Sequence, residues 1–254
     1  MTTKLLNIST ADLKKSNPLL KTHDFSIQID NLYLEPKYDW EIALYNFSMY
    51  YTWFNITNLN NQFRYWNGSV FKTLSIASGN YGVSDLNSAI KTGVNALGDT
   101  GDNIEFTSNF STLKVDLILL NSYQVDFRDV NSNNFRTLFG FSSNLFTSSQ
   151  AGDLSPDITN GIDSVAIACS LVSSNDNYIN NKSNNFIYSF VPNTGVGSNL
   201  NAGAGVANPL YLPISVKGSV GSFDISVRAT DGSLLDLNGE NTSYTLVIRP
   251  KKND

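Results

Sequence analysis

Hydrophobic and polar residues alternate along most of this chain with the period of β-strands. Phe25, Ile27 and Ile29 alternate with polar neighbours, the pattern of a strand with one face buried. After Pro36 a long run extends from residue 38 to 56. Trp40, Ile42 and Leu44 keep one parity there, and Tyr45, Phe47, Met49, Tyr51 and Trp53 continue on the other. Such a slip of phase predicts either a β-bulge or a strand buried on both faces. The same reading predicts strands near 62–66, 70–76, 104–107, 113–119 and 123–127. A Ser-, Gly-, Asp- and Pro-bearing stretch at 142–161 reads as a long loop. Strands resume near 164–172, 185–191, 210–216, 222–229 and 244–249.

One stretch changes period. Val83, Leu86, Ile90, Val94 and Leu97 recur at steps of three and four, which predicts a helix with Ser84 as its N-cap and Gly98 at its end. Gly93 weakens it. Short strands at regular spacing with a single helix argue for an all-β protein, a β-sandwich or jelly roll. The domain expectation is an N-terminal arm at 1–21, one β domain at 22–250 and a short tail at 251–254. Residues 57–110, which hold the helix, are where a small inserted β subdomain would sit. The loop at 195–208, rich in Gly, Asn and Ala, reads as flexible.

Composition narrows the class. Charged residues are only 15% of the chain, below the usual share of about 25% for soluble domains. Asn, Ser and Thr carry the polarity instead, which gives a neutral, hydrogen-bonding surface suited to packing against other subunits. The net charge is −5, yet both ends are basic. Lys4, Lys14, Lys15 and Lys21 face only Asp12 at the start, and Arg249, Lys251 and Lys252 face Asp254 at the end. The body between is therefore acidic, which argues against a nucleic-acid-binding face. Solvated tails are the simplest reading of the ends. A single cysteine, Cys169, rules out an intrachain disulfide, and its apolar surroundings make it a small core residue. The start of the sequence has no signal-peptide pattern, and no apolar run reaches the ~18 residues of a membrane span. The Asn-X-Ser/Thr triplets, Asn55 among them, read as chance in so Asn- and Ser-rich a chain.

Residues able to do chemistry are sparse. His23 is the sole histidine; with no G-x-S-x-G elbow to present a serine, it reads as a surface residue. One histidine and one cysteine cannot make a zinc site. Asp99, Asp102 and Glu105 lie close together as oxygen donors, a candidate cation loop without the EF-hand order. The Gly195–Gly205 segment lacks the Gly-Lys-Ser/Thr ending of a phosphate loop. The aromatic run at 45–54 could stack on sugars, but its alternation favours core packing. No cofactor is implied, and the residues point to a non-enzyme.

Several segments together resemble a known family. They are Trp40-Glu-Ile-Ala-Leu-Tyr-Asn-Phe-Ser-Met-Tyr-Tyr-Thr-Trp-Phe-Asn-Ile56, Gly79-Asn-Tyr-Gly-Val-Ser-Asp-Leu-Asn-Ser-Ala-Ile90 and Phe135-Arg-Thr-Leu-Phe-Gly-Phe141. Pro209-Leu-Tyr-Leu-Pro213, Lys217-Gly-Ser-Val, Asp236-Leu-Asn-Gly-Glu240 and Leu246-Val-Ile-Arg249 then follow. In order and spacing they are similar to the penton (minor capsid) proteins of virophages and Polinton-like viruses, over roughly residues 22–250. The loop at 195–205 is longer and richer in Gly than in that family.

The resemblance implies a single jelly roll, made in the host cell cytoplasm, with five copies closing an icosahedral capsid vertex of a virion. The neighbours would be a double-jelly-roll major capsid protein and other minor capsid proteins, with no specific nucleic-acid site. It gives structural roles only. Gly79 and Gly82 would shape a turn, and Leu138, Phe139 and Phe141 would pack in the core or at a subunit contact. Gly239 would permit the turn before the last strand. The alternative open from the residues alone is a carbohydrate- or receptor-binding β-sandwich. A hydrolase on a β scaffold is the third.

Overall fold

The structure is a computed structural model that describes residues 2–128, 133–159, 162–172, 178–179, 182–202, 208–229 and 231–251. The end of the Gly-rich loop, at 203–205, and the tail at 252–254 lie outside the described residues. The chain forms two compact units, one from residues 1–53 and 162–254 and the other from 54–161.

The first unit is a jelly roll. Among the described residues eight strands build its two sheets, in chain order Lys4–Ser9, Asp24–Leu34, Trp40–Tyr50, Val165–Cys169, Phe186–Phe190, a sixth in two pieces (Asn199–Asn201 and Leu212–Pro213), Gly218–Ala229 and Ser243–Pro250, and a short pair, Tyr178–Ile179 with Lys182–Ser183, stands apart from them. One antiparallel sheet runs first, eighth, third, sixth; the other runs fifth, fourth, seventh, second. This is the interleaved order of two sheets joined by long crossovers. Inward residues of both sheets fill the core. Leu34, Ile42, Val165, Ile167, Ile225, Val227, Leu246 and Ile248 are fully buried there.

The phase slip in the third strand is a bulge. Thr245 pairs with Asn46 and Leu246 with Leu44, so Tyr45 has no partner. One extra residue moves the buried positions from the even parity of Ile42 and Leu44 to the odd parity of Phe47 and Met49. Both parities thereby face the same core.

Three sequence expectations change. The segment 1–21 is not a free arm. Lys4–Ser9 pairs in register with the last strand, Lys4 opposite Ile248 and Ser9 opposite Ser243, and a short helix follows at Thr10–Ser16. Leu6 and Ile8 do alternate, but over too few residues to stand out beside the lysines. The flexible loop at 195–208 contains a strand, Asn199–Asn201, hydrogen-bonded to Tyr50, Met49 and Ser48. The insertion is also larger than 57–110. It leaves the roll after the third strand and returns before the fourth, spanning 54–161.

The inserted unit has its own core. A three-stranded sheet runs Gln150–Ala151, Lys114–Leu119, Ile104–Asn109, and a four-stranded sheet runs Phe71–Ser75, Gln62–Trp66, Gln124–Asp126, Leu145–Phe146. The predicted helix spans Val83–Ala96 and buries Leu86, Ile90 and Val94. Its N-cap is Gly82, not Ser84. The Asp85 carboxylate accepts the Gly82 N–H at 3.3 Å, closing the first turn two residues earlier than a Ser84 cap would. A second helix, Asn133–Phe139, follows the four-stranded sheet's third strand. No helix among the described residues is long and apolar enough to cross a membrane.

Candidate functional site

The three carboxylates of the proposed cation loop do not converge. Asp99 follows the Val83–Ala96 helix, where Gly98 turns the chain at φ +80°. Its carboxylate accepts hydrogen bonds from the Tyr65 hydroxyl at 2.7 Å and the Asn67 amide at 3.0 Å, and pairs with Lys72 Nζ at 2.9 Å. The Tyr65 hydrogen bond leads in holding Asp99 below the usual carboxylate range, with Lys72 adding to it. Burial, helped by Asp99, pushes the Tyr65 phenol well above its ordinary value. Asp102 and Glu105 share one cation, Lys91 Nζ, at 3.3 and 3.4 Å. The sequence reading missed that lysines on neighbouring elements supply the positive charge. Among the described residues, no three of His, Cys, Asp and Glu come together as a metal site.

The remaining chemistry-bearing residues are structural in their contacts. His23 is not a surface residue: its side chain is 14% exposed, and Nδ1 lies 3.4 Å from Asp236 Oδ1, too poorly aligned for a hydrogen bond. Cys169 is fully enclosed, and burial pushes its thiol up to about 12. A carboxylate that sequence inspection passed over, Asp126, is completely buried. Arg128 grips both its oxygens at 2.8 and 2.9 Å, and Arg64 stands 3.8 Å away. The Arg128 hydrogen bonds hold its pKa below the ordinary aspartate value.

The family-motif residues occupy defined places. Leu138, Phe139 and Phe141 are buried in the core of the inserted unit, and Phe139 stacks on Phe106 at 3.9 Å and 3°. They are not exposed for a subunit contact. Gly140 between them has φ +76°, and a Cβ there would meet the Leu154 carbonyl oxygen at 2.4 Å, so only glycine fits. Gly79 exchanges two backbone hydrogen bonds with Ile56, at 2.9 and 3.0 Å. Gly82 caps the helix. Gly239, at φ +76°, follows Asn238 at φ +52° in the turn before the last strand. That turn is tied down by Lys14, which donates to the Gly239 carbonyl, and by Thr52, which donates to the Leu237 carbonyl at 2.8 Å.

What remains for a functional surface is the exterior. Along the outer face of the first sheet stand Asn7, Asn46, Ser48, Asn199, Ser243 and Thr245, all uncharged. Thr245 donates to Asn7 at 3.0 Å, and Asn199 to Ser48 at 2.8 Å. Within the aromatic run, Phe47 and Trp53 are buried, while Tyr45, Tyr50 and Phe54 are partly exposed. On the inserted unit, Phe110 and Leu113 stand out at 87% and 71% exposure.

No protein-family model matches the chain, and no curated protein matches its sequence. A solved structure does match. The crystal structure of the selenomethionine-labelled mavirus penton protein aligns with TM-score 0.53 and 14% sequence identity, covering 99% of this chain and 100% of that one. The alignment therefore runs through both units, and the chain has a penton-like, all-β jelly-roll fold.

Proposed function

We propose that this chain is a minor capsid protein of a virophage or Polinton-like virus, a penton of which five copies close an icosahedral vertex. The observation that carries the reading is the fold shared over the full length of the mavirus penton protein. Low overall charge and the uncharged Asn, Ser and Thr residues along part of the first sheet's outer face support it, because subunit interfaces are depleted of charged residues at their centres. In this reading the protein resides in the virion, beside a double-jelly-roll major capsid protein and other minor capsid proteins. Its work is strand packing and subunit contact, with no catalysis and no cofactor.

The glycan- or receptor-binding alternative loses one of its two motives: the carboxylates of the Asp99–Glu105 segment hold lysines, while the aromatic run divides between buried Phe47 and Trp53 and exposed Tyr45, Tyr50 and Phe54. Light scattering on the purified chain tests the proposal. A mass five-fold that of the 27.9 kDa chain, alone or on adding a double-jelly-roll capsid protein, is the expected result. A single-chain mass under both conditions would overturn it.

A further inference from the structure

The segment from Thr10 to His23 is fastened to the chain leading into the last strand. The Thr10 N–H donates to the Thr242 carbonyl at 3.0 Å, and the Thr242 N–H donates to Thr10 Oγ1 at 2.7 Å. The Thr242 hydroxyl donates to the Thr22 carbonyl at 3.4 Å, and Lys14 donates to the Gly239 carbonyl. His23 continues this line of contacts. Its carbonyl accepts the Val227 N–H at 2.8 Å, which fixes its backbone. Its Nδ1 is buried without a hydrogen-bond partner, yet stands 3.4 Å from Asp236 Oδ1. That oxygen accepts the Asn238 N–H at 2.9 Å, so the turn holds the carboxylate in place. Nε2 is neither hydrogen-bonded nor sealed off among the described residues, so it is the nitrogen that meets water. The two nitrogens therefore live in different surroundings. A bare Nδ1 would aim its lone pair at a carboxylate, whereas an N–H there is attracted to it.

We propose that Nδ1 keeps its proton throughout and that Nε2 gains and loses one with pH, so that a charged His23 tightens the N-terminal segment against the Asp236 turn in acid. The inference does not depend on the five-copy reading. Asp236 is the only carboxylate within 4 Å of the imidazole among the described residues. On its own segment Lys21 and Asp24 are exposed and opposite in sign. From the helix, Lys14 is engaged by the Gly239 carbonyl. From the seventh strand, Arg228 is held by Ser226 at 2.9 Å and by the Gly232 carbonyl at 2.7 Å. Glu240, past the turn, is exposed. Burial opposes a charge on the imidazole and Asp236 favours it. Because Nε2 keeps its contact with water, the carboxylate prevails. The stabilisation is present while the imidazole is charged and is lost as pH rises through the histidine range, about pH 5 to 8. Asp236 is largely solvent-exposed, which keeps the effect small.

Hydrogen exchange on the full chain reads this clasp, with protection expressed relative to the unstructured rate at each pH. Amides of Lys4–Ser9 and Thr10–Ser16 should be about threefold better protected near pH 5 than near pH 8, and those of Ile104–Asn109 should not. His23→Gln and Asp236→Asn should each remove the difference. A second measurement needs no variant. His23 is the sole histidine, so its signals in a long-range nitrogen–proton NMR spectrum are unambiguous. Near pH 8 the proton should sit on Nδ1, the minor form of free histidine, and near pH 5 both nitrogens should carry one. A bare Nδ1 near pH 8, equal protection at the two pH values, or a difference that survives Asp236→Asn would overturn the proposal.

Discussion

The jelly roll and the inserted unit build their interiors from different materials. Among the described residues, six of the twenty-eight in the roll's main core cluster are aromatic, against nine of twenty in the insert's. Long strands with regular alternation let the roll interlock aliphatic side chains between two broad sheets. The insert has shorter strands and fills the space beneath its helices with rings. Phe63 alone meets Phe106, Phe127 and Phe135 edge-on, at 6.1, 6.2 and 5.8 Å. Their buried polar groups differ in the same way. The roll buries hydroxyls, at Thr10, Thr22, Ser226 and Thr242, whereas the insert buries amides and a carboxylate, at Asn55, Asn60, Asn103 and Asp126. Amides and carboxylates need more partners and leave costlier gaps when a partner is lost. The insert should therefore respond more sharply to polar substitution and to pH, and the roll more to the loss of a strand.

The largest effect should come from removing residues 2–9. If the first strand is part of the roll, truncation leaves the last strand unpaired on one side and uncovers the side of Tyr244, and the roll's cooperative unfolding transition should vanish. Retention of the wild-type melting curve would restore the free-arm picture. Phe106→Ala should cost the insert about 3–5 kcal/mol, the usual range for a buried Phe. Hydrogen exchange should report that loss in 54–161. Equal loss of protection in the roll's strands would erase the distinction between two cores.

Gly140→Ala should cost about 2–4 kcal/mol by chemical denaturation, since it adds both left-handed strain and a clash with the Leu154 carbonyl. Asn55→Ala follows at about 2 kcal/mol. The Asn55 amide donates to the carbonyls of Tyr81 at 2.8 Å and Ile158 at 2.9 Å, and its oxygen accepts the Tyr81 N–H at 2.9 Å. One side chain thereby ties the start of the insert to its end.

The smallest effect is a change of pH slope. The folded pKa of Asp126 is depressed, so its stabilisation is present above the unfolded value of about 3.9 and is lost as pH falls through the folded value. Asp99 acts in the same direction. Asp126→Asn should flatten the acid limb of the insert's stability curve below about pH 4. The roll's own transition should keep its slope, and an equal change in both would show that the two units do not respond separately.

Much of the candidate surface was hard to read from sequence for one reason. Asp99, Asp102 and Glu105 are close along the chain, which made them look like a cation loop. The charges that satisfy them, Lys72 and Lys91, come from a strand and a helix whose pairing is invisible locally. Asp126 looked ordinary because burial is a property of the packed unit. Phe139 and Phe141 could have been core or contact until the stack on Phe106 placed them.

The sequence by itself determined the all-β class, the phase slip in the third strand, the presence of a helix carrying Leu86, Ile90 and Val94, and the buried state of Cys169. Each follows from side-chain periodicity or local polarity, which depend on a few neighbouring residues. Only the tertiary structure decided that Lys4–Ser9 is the roll's first strand, that the insertion runs from 54 to 161, and that His23 lies against Asp236. Those depend on pairings between residues far apart in the chain, in the first case the register of Lys4 with Ile248, and alternation carries no record of a strand's partner.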